Sequence, residues 1–443
     1  MGMITIPDAM RRDFTFGVAT ASYQVEGALD ADGRLESIWD VFAATPGKTR
    51  NGESGDPACD HYHRWEADLD LIADLGFDLY RFSIAWPRVM HRDGTRNKAG
   101  IAFYRNILEG LKARGIKASV TLYHWDLPQW MEERGGWTNR ETAYRFADYA
   151  EMMATEFRGL VDQWITVNEP WVSAWLGYGV GVHAPGRADP KLARQAAHHL
   201  LLAHALGLEK LRAIDPDTPA GIALNLYAVY GAAPGAEEAA LLANAYQNDW
   251  FLGPLFGEGY PAALDRLWPN TAPLILDGDM ENIRAPMDFL GINTYTPLRV
   301  SYAEPDAFRE FVPDGAPTTT MGWEIFPDSM RDMLLRTHQT YPDLPPLYVT
   351  ENGCSLDDAL VDGEVNDQIR IKYFTDHLAA AADAMAEGVD LRGYYVWSFL
   401  DNFEWAEGYA KRFGIVHVSY DTQERTLKNS ALNWKSALAG RHA

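Results

Sequence analysis

Gln163-Trp164-Ile165-Thr166-Val167-Asn168-Glu169-Pro170 is a short β-branched and aromatic run that breaks into an amide, a carboxylate and a proline. Such a run builds a strand buried on both faces, and the proline ends it. The pattern recurs outward in both directions. Residues 163–167 form one of eight such runs, with 14–19, 79–84 and 117–122 upstream and 220–224, 289–292, 347–350 and 393–397 downstream. Between them fall stretches of helical spacing at 62–75, 99–114, 140–157, 192–214, 236–251, 329–340 and 368–387. Strands alternating with helices predict a parallel sheet wrapped by helices. An open doubly wound sheet has the same alternation, but no G-x-G-x-x-G or G-x-x-x-x-G-K-[ST] turn follows any run. The expected fold is therefore α/β, a single (β/α)8 TIM barrel over residues 1–443 with elaborated loops at the carboxyl face of the strands. No low-complexity linker or internal repeat divides the chain.

Composition narrows the function classes. Lys and Arg total 39 against 62 Asp and Glu, a formal net charge of −23. A body this acidic repels nucleic acid unless it carries a basic patch, and the cationic clusters are pairs such as Arg11-Arg12 and Lys411-Arg412. Two cysteines, Cys59 and Cys354, make neither a disulfide framework nor a thiolate metal site. The first ten residues lack the basic-then-apolar pattern of a leader, and no apolar run approaches the roughly 20 residues that span a bilayer. A cytoplasmic protein without membrane or nucleic-acid partners is expected. The 15 Trp, 21 Tyr and 18 Phe suit a protein that stacks flat ligand faces.

In such a barrel the active site lies at the carboxyl ends of the strands, so what each run ends with is diagnostic. The first leads to Gln24 and Glu26, the second carries Arg81, and the third ends at His124-Trp125-Asp126. The fourth ends at Asn168-Glu169, the fifth at Asn225, and the sixth at Asn293 with Tyr295 behind it. Glu351-Asn352 closes the seventh and Trp397 the eighth, with Glu404 and Trp405 in the loop beyond. Any one of these is ordinary as a turn or helix-start residue. As a set, hydroxyl-recognising groups and aromatics converge on one face.

Glu169 and Glu351 have the best claim to chemistry. Strands four and seven lie across the barrel mouth, and paired carboxylates flanking one bond are how glycosides are hydrolysed. One must be a protonated acid and the other an ionised nucleophile, so their surroundings must differ. Arg81 near Glu351 would hold that carboxylate ionised, whereas apolar neighbours would keep the Glu169 proton. Tyr295 could donate to the nucleophile and orient it.

At these residues the chain resembles the glycoside hydrolase family 1 β-glucosidases, from Phe14 to Trp434. The N-terminal signature reads Phe14-Thr-Phe-Gly-Val-Ala-Thr-Ala-Ser-Tyr-Gln24-Val-Glu-Gly-Ala28, the acid motif Asn168-Glu169-Pro170 and the nucleophile motif Tyr348-Val-Thr-Glu-Asn-Gly353. The resemblance implies Glu169 as general acid and base and Glu351 as nucleophile. It implies a sugar held by Gln24, His124, Trp125, Asn168, Trp397, Glu404, Trp405 and Phe413, with Asn293 and Tyr295 beside the reacting carbon. Retention of configuration goes with carboxyl groups about 5 to 5.5 Å apart. Members acting on 6-phosphorylated sugars grip the phosphate with Ser, Lys and Tyr after strand eight, whereas this loop reads Asn402-Phe403-Glu404-Trp405-Ala406-Glu407-Gly408-Tyr409. Glu404 would repel phosphate, so an unphosphorylated sugar is expected. Glu169 stands where the family's thioglucosidases have Gln, so O-glycosides are expected. Leaving-group candidates are Trp171, Trp175, Leu176, His183, Trp323 and Phe326. The implied partners are β-glucosides, cello-oligosaccharides and aryl glucosides, with no cofactor or metal and with a homo-oligomer left open.

Two other readings compete with this one. His61-x-His63 and His198-His199 prompt a metal hydrolase, but adjacent helical histidines diverge and no His-Glu-x-x-His is present, so they read as helix-surface or capping residues. A non-catalytic sugar binder would keep Gln24, His124 and Trp397 but has no need of both Glu169 and Glu351. A transglycosidase would use the same residues as a hydrolase.

Overall fold

The computed structural model describes residues 2–233, 235–303 and 308–441. Eight parallel strands close into a barrel in chain order: β1 (Thr15–Ala19), β2 (Leu79–Ser83), β3 (Lys117–Tyr123), β4 (Gln163–Asn168), β5 (Ala220–Asn225), β6 (Phe289–Asn293), β7 (Leu347–Asn352) and β8 (Leu391–Trp397). Closure pairs β1 with β8, Thr15 opposite Gly393 through Ala19 opposite Trp397. The fold class expected from the alternation is the one observed.

The principal outer helices are α1 (His61–Leu75), α2 (Lys98–Ala113), α3 (Glu141–Phe157), α4 (Pro190–Ile214), α5 (Glu237–Asn244), α6 (Asp328–Thr340), α7 (Gln368–Ala386) and α8 (Asn429–Gly440). Their ends follow local chemistry. The Asp189 carboxylate accepts the Lys191 N–H at the start of α4, where Pro190 has no N–H to leave unpaired, and Gly76 ends α1 with φ 79°. The helical run expected at 236–251 is less regular, because α5 widens into a π-helical turn at Ala245–Asp249 before a short helix at Trp250–Leu255.

Loops on the carboxyl side build the rest. A three-stranded sheet joins Val229–Gly231, Leu298–Ser301 and Arg309–Glu310, and an antiparallel pair joins Val416–Val418 to Arg425–Leu427. A nine-residue π-helix, Val172–Val180, follows Glu169-Pro170 and swings the 171–176 segment over the barrel mouth. Inside the barrel, Gln163 accepts from both Ser119 and Tyr395, so the interior beneath the site is polar but satisfied. No helix among the described residues is long and apolar enough to cross a membrane.

Candidate active site

β4 and β7 both slip register as they approach the barrel mouth, and β7 also slips against β8 at its start, between Leu347 and Tyr348. The β4–β5 pairing shifts between Ile165 and Asn168, and the pairings of β7 with its neighbours shift beyond Val349. Such irregularities re-aim side chains, and here they fall beside Glu169 and Glu351. Glu169 has φ 46° and its N–H donates to the Ala223 carbonyl at 2.8 Å, so the chain turns sharply as it leaves β4. Past β7 the chain runs against the end of β8: a Cβ on Gly353 would sit 1.6 Å from the Trp397 carbonyl oxygen, which only glycine tolerates.

Both glutamates line one cavity of about 310 Å3. A buried network joins them from below. Asn293 Nδ2 donates to Glu169 Oε1 at 2.7 Å and to Asn168 Oδ1 at 3.0 Å. Arg81 Nη2 donates to that same Asn168 oxygen and Arg81 Nη1 to Glu351 Oε1, both at 2.6 Å. Tyr295 Oη donates to the other Glu351 oxygen at 2.5 Å. Thr350 Oγ1 fixes the Asn293 amide by donating to its oxygen at 2.6 Å.

The two carboxyls are unlike in their surroundings. Burial, reinforced by the nearby Glu351 charge, pushes Glu169 well above the ordinary carboxylate range, and the Asn293 amide opposes that only in part. Burial also raises Glu351, but the Arg81 guanidinium and the Tyr295 hydroxyl pull it back. Of the two, Glu169 is therefore the carboxyl that holds its proton more strongly, and Glu351, beside Arg81, the one that ionises more readily.

Aromatic rings wall the cavity. His124 lies nearly parallel to Trp397 and Trp405, with ring centroids 5.9 and 6.0 Å away, and Trp125 meets Trp405 at 4.5 Å. Trp125 Nε1 donates to the Asn168 carbonyl at 2.9 Å, and Trp125 and Trp405 hold positive φ of 76° and 51°. Asn168 Nδ2 donates to His124 Nε2 at 3.1 Å, and burial keeps His124 neutral by driving its pKa well down. Gln24 Nε2 donates to the Phe403 carbonyl at 2.8 Å and reaches Glu404 at 3.4 Å, while Gln24 Oε1 and His124 Nδ1 are buried without a partner among the described residues. Burial, then the Glu351 charge, pushes Glu404 up to about 8. Phe413, Tyr295 and Trp323 close one side, and Trp171, Leu176 and His183 another.

The loop carrying Glu404 is anchored from outside the barrel. Asp401 accepts Lys428 Nζ at 2.7 Å, Arg412 Nη1 at 2.7 Å and the Gly414 N–H at 3.0 Å. Lys428 also donates to Asp358 at 2.5 Å, and Arg370 joins Asp358 to Asp367 with contacts of 2.6 Å. The carboxylates and cations are matched, and all but Arg412, which is partly exposed, are buried.

Several sequence expectations need correction. Glu26 does not face the cavity: it accepts from Arg88 Nε at 3.0 Å and Tyr104 Oη at 2.6 Å. Asp126 accepts from Ser22 Oγ at 2.7 Å, and Asn352 binds the Thr294 carbonyl and Tyr373. Of the leaving-group candidates, Trp175 packs on Tyr246 and Trp268, and Phe326 lies under Arg299. His61, His198 and His199 are buried rather than on helix surfaces: His61 pairs with Asp68, His198 with Asp279, and His199 with the Trp137 carbonyl. Tyr227, Met321 and Val172 line the cavity and were not anticipated, since each sits in a loop or helix with no polar signal.

A closed eight-stranded barrel with two unlike glutamates over one aromatic cavity is the form of a glycosidase, and the chain belongs to glycosyl hydrolase family 1, matched over residues 6–442. It is 44% identical over 435 residues to a beta-glucosidase of Agrobacterium sp., covering 96% of this chain and 94% of that protein. Among solved structures, the family 1 beta-glucosidase of Exiguobacterium antarcticum B7 superposes with a TM-score of 0.94 at 45% identity, covering 97% and 98% of the two chains. The Thermotoga maritima beta-glucosidase in complex with noeuromycin superposes with a TM-score of 0.93 at 42% identity, covering 98% of each.

Proposed function

We propose that the protein is a retaining β-glucosidase that releases terminal β-D-glucose from unphosphorylated O-β-glucosides through a covalent glycosyl-enzyme. The observation that carries this reading is the unequal environment of two glutamates on one cavity. Glu351, ionised between Arg81 and Tyr295, attacks the anomeric carbon while Glu169 gives its proton to the departing oxygen. Glu169 then takes a proton from water, which attacks the glycosyl–Glu351 ester and restores the free carboxylate. On the cavity wall, His124 Nδ1 and Glu404, the latter reached by Gln24, are hydrogen-bonding groups suited to sugar hydroxyls, and Trp397 offers a flat stacking face. No Lys or Arg is among the described residues that line the cavity, so a sugar phosphate would find no cation to pair with there. Trp171, Trp323 and His183 border the leaving-group side. Relatives named as beta-glucosidases support the substrate class.

The deciding experiment is Glu351→Gly. It should abolish turnover of nitrophenyl β-D-glucoside, and added azide should restore cleavage with an inverted glucosyl azide as product. Full activity without azide would refute the nucleophile. Comparing nitrophenyl β-D-glucoside, galactoside, fucoside and 6-phosphoglucoside, with the product anomer followed by NMR, tests the sugar and the stereochemistry.

A further inference from the structure

The leaving-group side of the cavity does not end at Trp171 and Trp323. A second cleft of about 390 Å3 continues from it, sharing Trp171, Leu176, Tyr227 and Trp323 as walls and presenting Arg299 and Glu310 further out. These two charges are not equivalent. Arg299 is neutralised, since its Nε and Nη2 donate to the two oxygens of Glu324 at 2.6 and 2.9 Å and its guanidinium lies over Tyr230 and Phe326. Glu310 has no such partner among the described residues: its side chain stands exposed at the cleft, and no cation opposes the partial loss of water that raises its carboxyl.

The backbone holds Glu310 in place. Val300 pairs with Glu310 and Ser301 with Arg309 in an antiparallel ladder, and the Phe311 N–H donates to the Arg299 carbonyl at 3.1 Å. Strand alternation turns Arg309 to the opposite face and puts Phe308 on the face of Glu310. Phe308 meets Tyr246 at 6.1 Å, and Tyr246 in turn meets Trp171 at 5.4 Å. The cleft thus has aromatic walls near the reacting bond and one uncompensated carboxylate beyond them.

We infer that this second cleft receives the far end of an extended leaving group and that Glu310 makes it charge-selective, favouring an aglycone that ends in a cation over one that ends in a carboxylate. This rests on the glycosidase reading above. Among the described residues that line the cleft, Glu310 is the charge left unbalanced, because Arg299 is paired with Glu324.

The test uses three biphenyl-4-yl β-D-glucosides carrying a 4′-aminomethyl, 4′-hydroxymethyl or 4′-carboxylate group, compared on the unaltered enzyme and on Glu310→Gln. Intrinsic leaving-group reactivity cancels in that comparison. The ratio of kcat/KM for the cationic over the anionic substrate should fall about fivefold or more in Glu310→Gln, the reach of a partly exposed charge pair acting on both signs. In the unaltered enzyme the ratio should also shrink as salt is raised from about 0.02 to 0.5 M, while p-nitrophenyl β-D-glucoside is turned over equally by both proteins. An identical ratio in both proteins, or an equal loss for all three substrates, overturns the charge selectivity and leaves the glucosidase reading intact. Absence of turnover of every glucoside by the unaltered enzyme overturns the underlying reading instead.

Discussion

Arg81 touches both halves of the site, holding Glu351 through one nitrogen and Asn168 through another. Its positive charge opposes the upward pull of burial on Glu351. Arg81→Met should therefore raise the Glu351 pKa, and because attack needs the ionised form, the acid limb of the kcat/KM profile should move to higher pH. A loss of about a hundredfold in kcat/KM should accompany it, the scale on which removal of one preorganised electrostatic group is felt. An unmoved acid limb would remove Arg81 from this role. Glu169→Ala tests the other half. Dinitrophenyl β-glucoside, whose leaving group needs no proton, should keep most of its first-step rate, whereas an alkyl glucoside should lose about 10² to 10⁴-fold. Equal losses would mean that Glu169 is not the acid.

Elements were more legible in sequence than the directions of their side chains. The eight strands fall within two residues of where β-branched runs stop at polar residues, because a strand buried on both faces has a composition that little else shares. Which polar ends enter the cavity was not legible. Glu26, Asp126 and Asn352 end strands or follow them just as His124, Glu169 and Glu351 do, but the first three meet Arg88, Ser22 and Tyr373 across the fold. Trp171 and Trp175 are the same residue type four positions apart, and only tertiary partners put one on the cavity and the other against Trp268. Gly353 is a constraint that belongs to two elements at once. Gly353→Ala should cost about 3 kcal/mol or more, since its Cβ would meet backbone that has no side chain to move aside; the melting temperature checks this, and an unchanged value would contradict the close approach. Lys428→Met leaves Asp358 and Asp401 without their shared cation, at about 3 to 5 kcal/mol. Its urea midpoint should fall accordingly, and KM should rise more than kcat drops, because the loop that carries Glu404 rests on Asp401.

For the molecule as a whole, the buried acids give stability a defined dependence on pH. Glu404 titrates near 8 in the folded protein but close to about 4.3 in an unfolded chain, so between these values the native state binds more protons. Its contribution is complete below the unfolded pKa and is lost as pH rises through 8. Asp68 and Asp401 act in the opposite sense, since their pKa values are lowered and their contributions disappear as pH falls. Through Glu404 the melting temperature should decline between about pH 4.3 and 8 and level off above, and Glu404→Gln should flatten that part of the profile; an identical slope in the variant would place the titration elsewhere. The closure of β1 against β8 and the tie from Lys428 to Asp401 carry a consequence for biosynthesis. A ribosome that has passed codon 352 has already made both cavity glutamates, yet the growing polypeptide still lacks Trp397, the Glu404 wall and their anchor. Prematurely terminated products would thus be silent toward glycosides, and activity should switch on only once translation clears the final helix.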